Sequence, residues 1–287
     1  MITPTELVTG FVHLNSLPEI VVRLNQVIDD PGHSAADLGH LIELDPALSA
    51  RLLRIVNSPL YALSRRVDSI SRAVTIVGES DVRNLAIATS VASLFTGIQS
   101  RHIDVSTFWR HSVYCAVVAR LLAEQQLLGN RESYFLAGLL HDIGSLLIST
   151  KLPEMAREAL LRARHHETSV QQAEHEVLGF DHAAVGAALL GQWRLPDNII
   201  TAVAHHHDPD ACAEFRQGAA ITHIANCLAN QSLHGTHSDG EATVPEALAG
   251  RLAGLSVETM TVISDIAEHQ FDEALAFVMP EKLRRRA

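Results

Sequence analysis

Residues 44–58 read LDPALSARLLRIVNS and contain the start, the body and the end of one α-helix. Asp45 is placed to cap the helix, and Pro46 takes the first helical position, where its missing N–H costs nothing. The chain then reads Asn-Ser-Pro at 57–59, and the residue before a proline avoids helical backbone. The stretch therefore predicts one helix with a defined beginning and end.

Helix signals of the same kind recur along the chain, and alternating strand patterns are missing. In the first hundred residues, further helix starts are predicted at Ser16 with Glu19, Ser34 with Asp37, Ser69 and Ser80. After a polar break at 97–104, helices are predicted at about 106–125, 132–140, 153–166, 169–178, 181–193, 196–207, 218–229 and 256–277. The pattern predicts an all-α protein.

The polar break also marks the predicted domain boundary. Residues 1–100 are predicted to form an N-terminal helical bundle, 101–235 a second helical domain, and 236–287 a loop and a C-terminal helix. The full length of 287 residues suits this division, because compact domains take roughly 100 to 200 residues each.

Composition predicts a soluble, cytoplasmic protein. Apolar residues make up 47% of the chain, but no uninterrupted apolar stretch approaches the ~18 to 20 residues that cross a bilayer. The N-terminus lacks the basic and hydrophobic segments of a secretory signal. The three cysteines show no CxxC spacing, which argues against a disulfide framework and a thiolate zinc site.

The net charge of −11 argues against a nucleic-acid partner, because phosphate backbones are held mainly by lysine and arginine. A DNA-binding regulator would need a basic face, and the charge balance offers none. The basic tail at 282–286 is predicted to be a solvated helix end.

Histidine is the compositional anomaly, with 17 copies against three tyrosines. Imidazole nitrogens and carboxylate oxygens are ligands for cations such as zinc, iron and manganese. Because the candidates are widely spaced, a metal site would have to be assembled from separate packed helices. In the second half, such residues occur at His111, at His141 with Asp142, at His182 and at the three histidines 205–207, with Asn226 on the next predicted helix.

A second interpretation of the same residues stays open: His141 and Asp142 form a hydrogen-bonded pair that ties helices together. Residues 205–207 are three successive histidines, and on a helix they would span about 200° of its circumference. They cannot all face one site. His206 and His207 share the side of the apolar stripe, whereas His205 is predicted to be solvated.

The run at 138–144, GLLHDIG, with WRHS at 109–112 and the downstream histidines, resembles the HD superfamily of metal-dependent phosphohydrolases. The block at 44–58, SRAV at 71–74 and WRLP at 193–196 resemble the HDOD group, the HD-related output domain of bacterial signalling proteins. The resemblance covers about residues 14–229, and it implies that the N-terminal bundle packs on an HD-like helical domain.

By this resemblance, the metal ligands of active HD enzymes fall on six candidate residues: His111, His141, Asp142, His182, His206 and His207. The final aspartate of those enzymes, however, matches Asn226, a neutral amide. The lysine that follows the HD run in the related HD-GYP phosphodiesterases is Ser145 here, and no Gly-Tyr-Pro signature follows His207. The site is therefore expected to be degenerate for phosphodiester hydrolysis.

The resemblance implies a signal-transduction output or regulatory module that binds a partner protein, a sensory domain or a small ligand, in a two-component or second-messenger context. No cofactor is expected to be required, although the remaining ligands could hold one divalent cation: iron, manganese or zinc. The alternative is a metal-dependent phosphohydrolase of nucleotides or cyclic dinucleotides. No receiver-like alternation of strands and helices is visible in the sequence.

Overall fold

The computed structural model describes residues 2–10, 18–95, 100, 102–166, 168–232, 234 and 255–279. Within these ranges the regular structure is helical and contains no β-strand, which confirms the predicted all-α fold. No helix in this part of the chain combines the length and the apolar character needed to cross a membrane.

Six helices form the first part of the chain. They are α1 (Pro4–Thr9), α2 (Glu19–Asp29), α3 (Ala35–Glu43), α4 (Pro46–Val56), α5 (Ile70–Val77) and α6 (Glu79–Leu94). Three predicted caps are confirmed. The Ser34 side chain accepts from the Asp37 amide, the Asp45 carboxylate accepts from two amides of α4, and Ser69 caps α5. The local sequence alone therefore sets where these helices begin.

The structure corrects three helix starts in this region. Helix α1 was not predicted, although Thr3 and Glu6 form a capping box around Pro4. Helix α2 begins at Glu19 with Pro18 as its cap, and the predicted cap Ser16 lies outside the described residues. Helix α6 begins at Glu79 rather than at Ser80. The preceding residue, Gly78, has a non-helical φ of 101° and serves as the N-cap.

The second part of the chain continues with nine more α-helices in the described ranges. They are α7 (Val105–Gln125), α8 (Arg131–Leu140), α9 (Ile143–Lys151), α10 (Pro153–His166), α11 (Val170–Leu178), α12 (His182–Gln192), α13 (Asp197–Ala204), α14 (Arg216–Gln231) and α15 (Val257–Val278), with a 3-10 turn at Pro209–Ala211.

Two differences from the prediction lie near the candidate ligands. Helix α9 was not predicted and follows Asp142 directly. Helix α13 ends at Ala204, whereas the sequence predicted helix through His207. The His206 ring Nδ1 lies 2.8 Å from the Val203 carbonyl, which a continuing helix would offer to a backbone amide. The helical-wheel argument for residues 205–207 was therefore wrong in its geometry.

One hydrophobic core runs through both parts of the chain. Helix α7 lies at its centre and packs against α8, α14 and α15. Helix α15 also contacts α4 and α6, and helix α1 packs on α9 and α12 of the second part. The two ends of the described chain thus bridge the first and second halves.

Charged side chains cross the seam between the halves, which we define by Tyr61 and Asp81 of the first half and Arg120 and Glu132 of the second. Arg120 Nε donates to Glu132 Oε1 at 2.8 Å, and both side chains are buried. The Arg120 guanidinium also lies 4.8 Å from the centre of the Tyr61 ring. Burial and the negative charge of Glu132 raise the pKa of Asp81 to about 7.

The raised pKa of Asp81 makes stability depend on pH. Between about pH 4 and 7 the folded protein holds a proton that the unfolded chain has released, so the free energy of unfolding falls as pH rises. We expect Asp81→Asn to remove about 1–2 kcal/mol of this fall between pH 5 and 8, a value reduced for partial solvent screening.

Urea unfolding of the wild type and Asp81→Asn at pH 5 and pH 8 measures this effect. Asp272→Asn is the matched control, because Asp272 is exposed on α15. A wild type and an Asp81→Asn variant with equal pH dependence would show that Asp81 is not the group responsible.

Candidate metal centre

The six candidate residues come from four places in the fold and meet in one buried cluster. His111 lies on α7, His141 and Asp142 lie between α8 and α9, and His182 begins α12. His206 and His207 lie in the turn after α13. Five of the six side chains are buried and His207 is half-buried. We call these six residues the HD cluster.

The Asp142 carboxylate is at the centre of the HD cluster, and each of its oxygens faces two imidazoles. Oδ2 lies 3.1 Å from His141 Nε2 and 3.9 Å from His111 Nε2. Oδ1 lies 3.3 Å from His182 Nε2 and 3.5 Å from His206 Nε2. This arrangement places four ring nitrogens around one carboxylate.

His207 extends the cluster on the side of His182, with 2.8 Å between the two Nε2 atoms. The ligand atoms of Asp142, His182, His206 and His207 all lie within 4.8 Å of one another. A second group with the same mutual spacing consists of His111, Cys115 and His141. Two ligands about 2.1 Å from one cation lie at most about 4.2 Å apart, so small adjustments would bring the first group onto a single ion.

The outer ring nitrogens fix how the imidazoles point. His141 Nδ1 lies 2.8 Å from the Gly138 carbonyl, and His206 Nδ1 lies 2.8 Å from the Val203 carbonyl. His182 Nδ1 lies 2.7 Å from the Glu174 carboxylate. Carbonyl and carboxylate oxygens accept protons, so each Nδ1 carries its proton outward, and in the neutral rings of His141 and His206 the Nε2 lone pair points toward Asp142.

In this orientation, hydrogen-bond acceptors of the rings face the acceptor oxygens of the Asp142 carboxylate. Asp142 Oδ1 and His206 Nε2 are buried, and neither forms a hydrogen bond within the described part of the chain. A proton on His206 Nδ1 excludes one on Nε2 in the neutral ring, so no hydrogen bridges these two atoms. Buried polar atoms are normally paired, and a cation between them would satisfy both. The donor set therefore fits a divalent metal.

Electrostatics keeps most of the cluster in a metal-binding protonation state. Burial, with the neighbouring His207, lowers the pKa of His206 to about 3, and burial with His182 lowers the pKa of His207 to about 3. Burial opposes charge on Asp142, but the surrounding histidines, His141 first, hold its pKa well below the ordinary value. At neutral pH these two rings are neutral and the carboxylate is ionised.

His182 is the exception. Burial opposes its charged form, but Glu174 and Asp142 together raise the pKa of His182 well above its ordinary value. Glu174 also accepts the His182 backbone amide at 2.8 Å. Sequence reasoning missed Glu174, and the only signal for it was an acidic residue eight positions before the histidine, on the preceding helix.

Asn226 lies on α14 next to His111 and is fully buried. Its Oδ1 accepts from Asn230 Nδ2 at 3.2 Å, and its amide nitrogen forms no hydrogen bond within the described residues. Burial lowers the pKa of His111 to about 4, with His141 adding to the effect. This side of the cluster is therefore neutral, where a carboxylate at 226 would have supplied a negative charge.

A cavity of about 220 Å³ opens beside Asp142. Ser145 and Glu174 line it near the cluster, and Arg164 of α10 contributes a guanidinium group. Ligand pockets usually measure about 300 to 1,000 Å³. The cavity is therefore small for a ligand of nucleotide size.

Two glycines of the GLLHDIG run permit the close helix approaches that build the cluster. A Cβ at Gly144 would lie 2.0 Å from the His182 carbonyl oxygen, and one at Gly138 would lie 2.8 Å from the Cys115 carbonyl oxygen. Helix α9 can therefore touch α12, and α8 can touch α7, only without side chains at these positions. The sequence marked both glycines but could not show what they approach.

The Gly144 contact gives a direct test of this construction. We expect Gly144→Ala to reduce the free energy of unfolding by about 3 kcal/mol, because backbone rather than a flexible side chain blocks the new methyl group. Gly191→Ala is the control, because a methyl group there would have no neighbour within 4 Å and alanine favours helix. Chemical denaturation of the two variants measures both effects, and equal stability would contradict the close approach.

Comparison with known proteins extends these observations. A protein of Treponema pallidum (strain Nichols), named only as uncharacterized, is 26% identical over 215 residues. That match covers 73% of this chain but only 41% of the relative, so this chain spans less than half of that protein's length.

Solved structures show the same fold. A Geobacter sulfurreducens HDOD domain protein of unknown function has a TM-score of 0.68 at 23% identity, covering 98% of this chain and 96% of its own. A Marinobacter aquaeolei VT8 protein with a provisional signal-transduction name scores 0.69 at 23% identity, covering 91% and 58%. A Shewanella amazonensis SB2B protein with a provisional phosphohydrolase name scores 0.68 at 22% identity, covering 94% and 96%.

The model of the HDOD domain family matches residues 14–209, which is more than half of the chain. The match includes the capped α4 block and all six residues of the HD cluster. The chain belongs to the HDOD family.

Proposed function

We propose that the chain is a signal-transduction output module that acts by binding a partner protein or a small ligand, and that its HD cluster does not cleave phosphodiesters. The observation that carries this proposal is Asn226, whose neutral amide lies beside His111 where the resembled enzymes supply a carboxylate.

The charge balance of the cluster supports the loss of hydrolysis. A bound metal supplies an acidified water and positive charge for a phosphoryl group. Among the described residues, Asp142 is the carboxylate that faces the inner Nε2 atoms of the rings, and Glu174 contacts the outer Nδ1 atom of His182. Asn226 adds no second inner carboxylate. Ser145 beside Asp142 offers a hydroxyl in place of a cationic amine. Both the hold on a metal and the capture of a phosphate are thereby weakened.

A cation in the cluster would have a structural role, because it would link separate helices. Asp142, His182, His206 and His207 would hold one ion of zinc, iron or manganese, and these residues belong to the start of α9, to α12 and to the turn after α13. We expect the fold not to depend on the ion, since one hydrophobic core already joins these elements. Binding would instead make the cluster more rigid.

The proposed signalling context is supported by a structure of the same fold. The Marinobacter structure with the same fold carries a signal-transduction name, and we propose a two-component or second-messenger setting for this chain. The three buried free cysteines suit a reducing, cytoplasmic compartment. A shift at the seam between the halves would alter the surface offered to a partner.

A metal-dependent phosphohydrolase is the second candidate, favoured by one observation. Arg164 lines the cavity beside Asp142 and would supply positive charge near the cluster in place of the absent lysine. The small volume of that cavity, about 220 Å³, opposes this candidate for cyclic dinucleotides unless the cavity opens.

Metal binding can be measured without any activity. Purified protein dialysed against manganese, iron or zinc is expected to retain about one ion per chain by elemental analysis, because the first ligand group fits one ion. Asp142→Ala should lower retention by about tenfold or more, since it removes the anionic ligand. His205→Ala is the control, and equal retention in all three proteins would exclude the HD cluster as the site.

Turnover is tested with the same metals. We expect no hydrolysis of bis-p-nitrophenyl phosphate or of cyclic dinucleotides above the rate of the metal alone, because the second carboxylate and the lysine are absent. Release of p-nitrophenol and chromatography of the nucleotides measure this. Hydrolysis that is present in the wild type and lost in Asp142→Ala would decide for the phosphohydrolase.

A further inference from the structure

A groove of about 840 Å³ lies between the end of α4, the segment 57–68 and the end of α15. Its volume falls within the range of about 300 to 1,000 Å³ that is usual for ligand pockets. None of the six residues of the HD cluster lines it. We call it the α4–α15 groove.

Three arginines line the α4–α15 groove: Arg54, Arg65 and Arg66. All three are exposed, and none forms an ion pair within the described ranges of the chain. Two acids, Asp68 and Glu273, also line the groove, which leaves one net positive charge by formal count. In a protein with a net charge of −11, this is a local concentration of unpaired guanidinium groups.

The segment that carries two of these arginines is clamped in place by Asn57. Asn57 Oδ1 accepts the Val67 amide at 2.7 Å, and Asn57 Nδ2 donates to the Val67 carbonyl and to the Leu53 carbonyl, both at 2.7 Å. Arg65 and Arg66 directly precede Val67, so the clamp holds them against the end of α4, where Arg54 lies. This gives the Asn-Ser end of the α4 block a structural role.

The rest of the groove wall is largely apolar. Leu53, Leu63, Val67 and Phe277 contribute to its lining, together with Ala276. Guanidinium groups bind phosphate oxygens through paired hydrogen bonds, and an apolar wall accommodates a flat ring system. A nucleotide combines both chemistries in one molecule of suitable size.

We propose that the α4–α15 groove is a binding site for a nucleotide that carries at least two phosphate groups, with Arg54, Arg65 and Arg66 holding the phosphates. The site rests on the proposed function and deepens it, because it names the class of small ligand that the module would bind, and it involves neither a metal nor the HD cluster. It would give the module a place to receive a small phosphorylated signal on the face formed by α4 and α15.

The test measures the fluorescence anisotropy of a mant-labelled guanosine diphosphate at physiological salt. We expect saturable binding to the wild type, weakened about tenfold by Arg54→Ala and by more than that in the Arg65→Ala/Arg66→Ala double variant. Arg72→Ala is the matched control, because Arg72 is an exposed arginine on α5 outside the groove. The control should bind as the wild type does.

Three further measurements make each result decisive. Arg65→Lys/Arg66→Lys keeps the charge but loses the paired hydrogen bonds, so intermediate binding is expected. Thermal melting should be unchanged in all variants, because the substituted side chains are exposed.

Inorganic pyrophosphate should compete with the labelled nucleotide, whereas a hexaglutamate peptide should not.

The proposal is overturned if the wild type shows no saturable binding up to about 1 mM nucleotide. It is equally overturned if the double arginine variant binds as well as Arg72→Ala, or if hexaglutamate competes as strongly as pyrophosphate, which would indicate an acidic peptide site. These outcomes do not depend on metal retention or on phosphodiester turnover, so they are distinct from failure of the proposed function.

Discussion

The structure of the second half depends on one buried carboxylate surrounded by imidazoles. Asp142 reaches His182 only because α9 approaches α12 without a side chain at Gly144. The outward hydrogen bond of His206 to Val203 then turns its free lone pair toward the same carboxylate. Acceptors facing acceptors in a buried site are costly unless a cation joins them. The cluster is therefore built for positive charge, whether that charge is a proton on His182 or a metal ion.

The same charge considerations support the proposal that the HD cluster, even with a metal bound, is not a hydrolase. Asn226 places a neutral amide beside His111, at the position where the resembled HD enzymes have an anionic ligand. The cavity at Asp142 is small, whereas the larger groove between α4 and α15 carries three exposed arginines. In the proposed account, the metal ligands lie in the HD cluster and the phosphate ligands lie in the α4–α15 groove, and this separation supports a binding and regulatory role rather than phosphoryl chemistry.

Local signals in the sequence predicted most helix starts, because Ser34, Asp45 and Ser69 cap their own helices. They predicted the end of α13 wrongly, because the helix ends at Ala204 and the Val203 carbonyl faces the His206 ring, a side-chain contact that helix-end signals do not include. The resemblance to HD enzymes supplied the six cluster residues, and the fold brings all six together. Glu174 and the close approach at Gly144 are tertiary facts, and only the packed structure contains them.

Anomalous diffraction from crystals grown with manganese tests the central claim most directly, because it locates the ion as well as counting it. The account expects one anomalous peak within bonding distance, about 2.0 to 2.3 Å, of an Asp142 oxygen and of the His206 ring nitrogen. It expects no second peak between His111 and Asn226. A two-ion centre with Asn226 as a ligand, or no peak at Asp142, would contradict it.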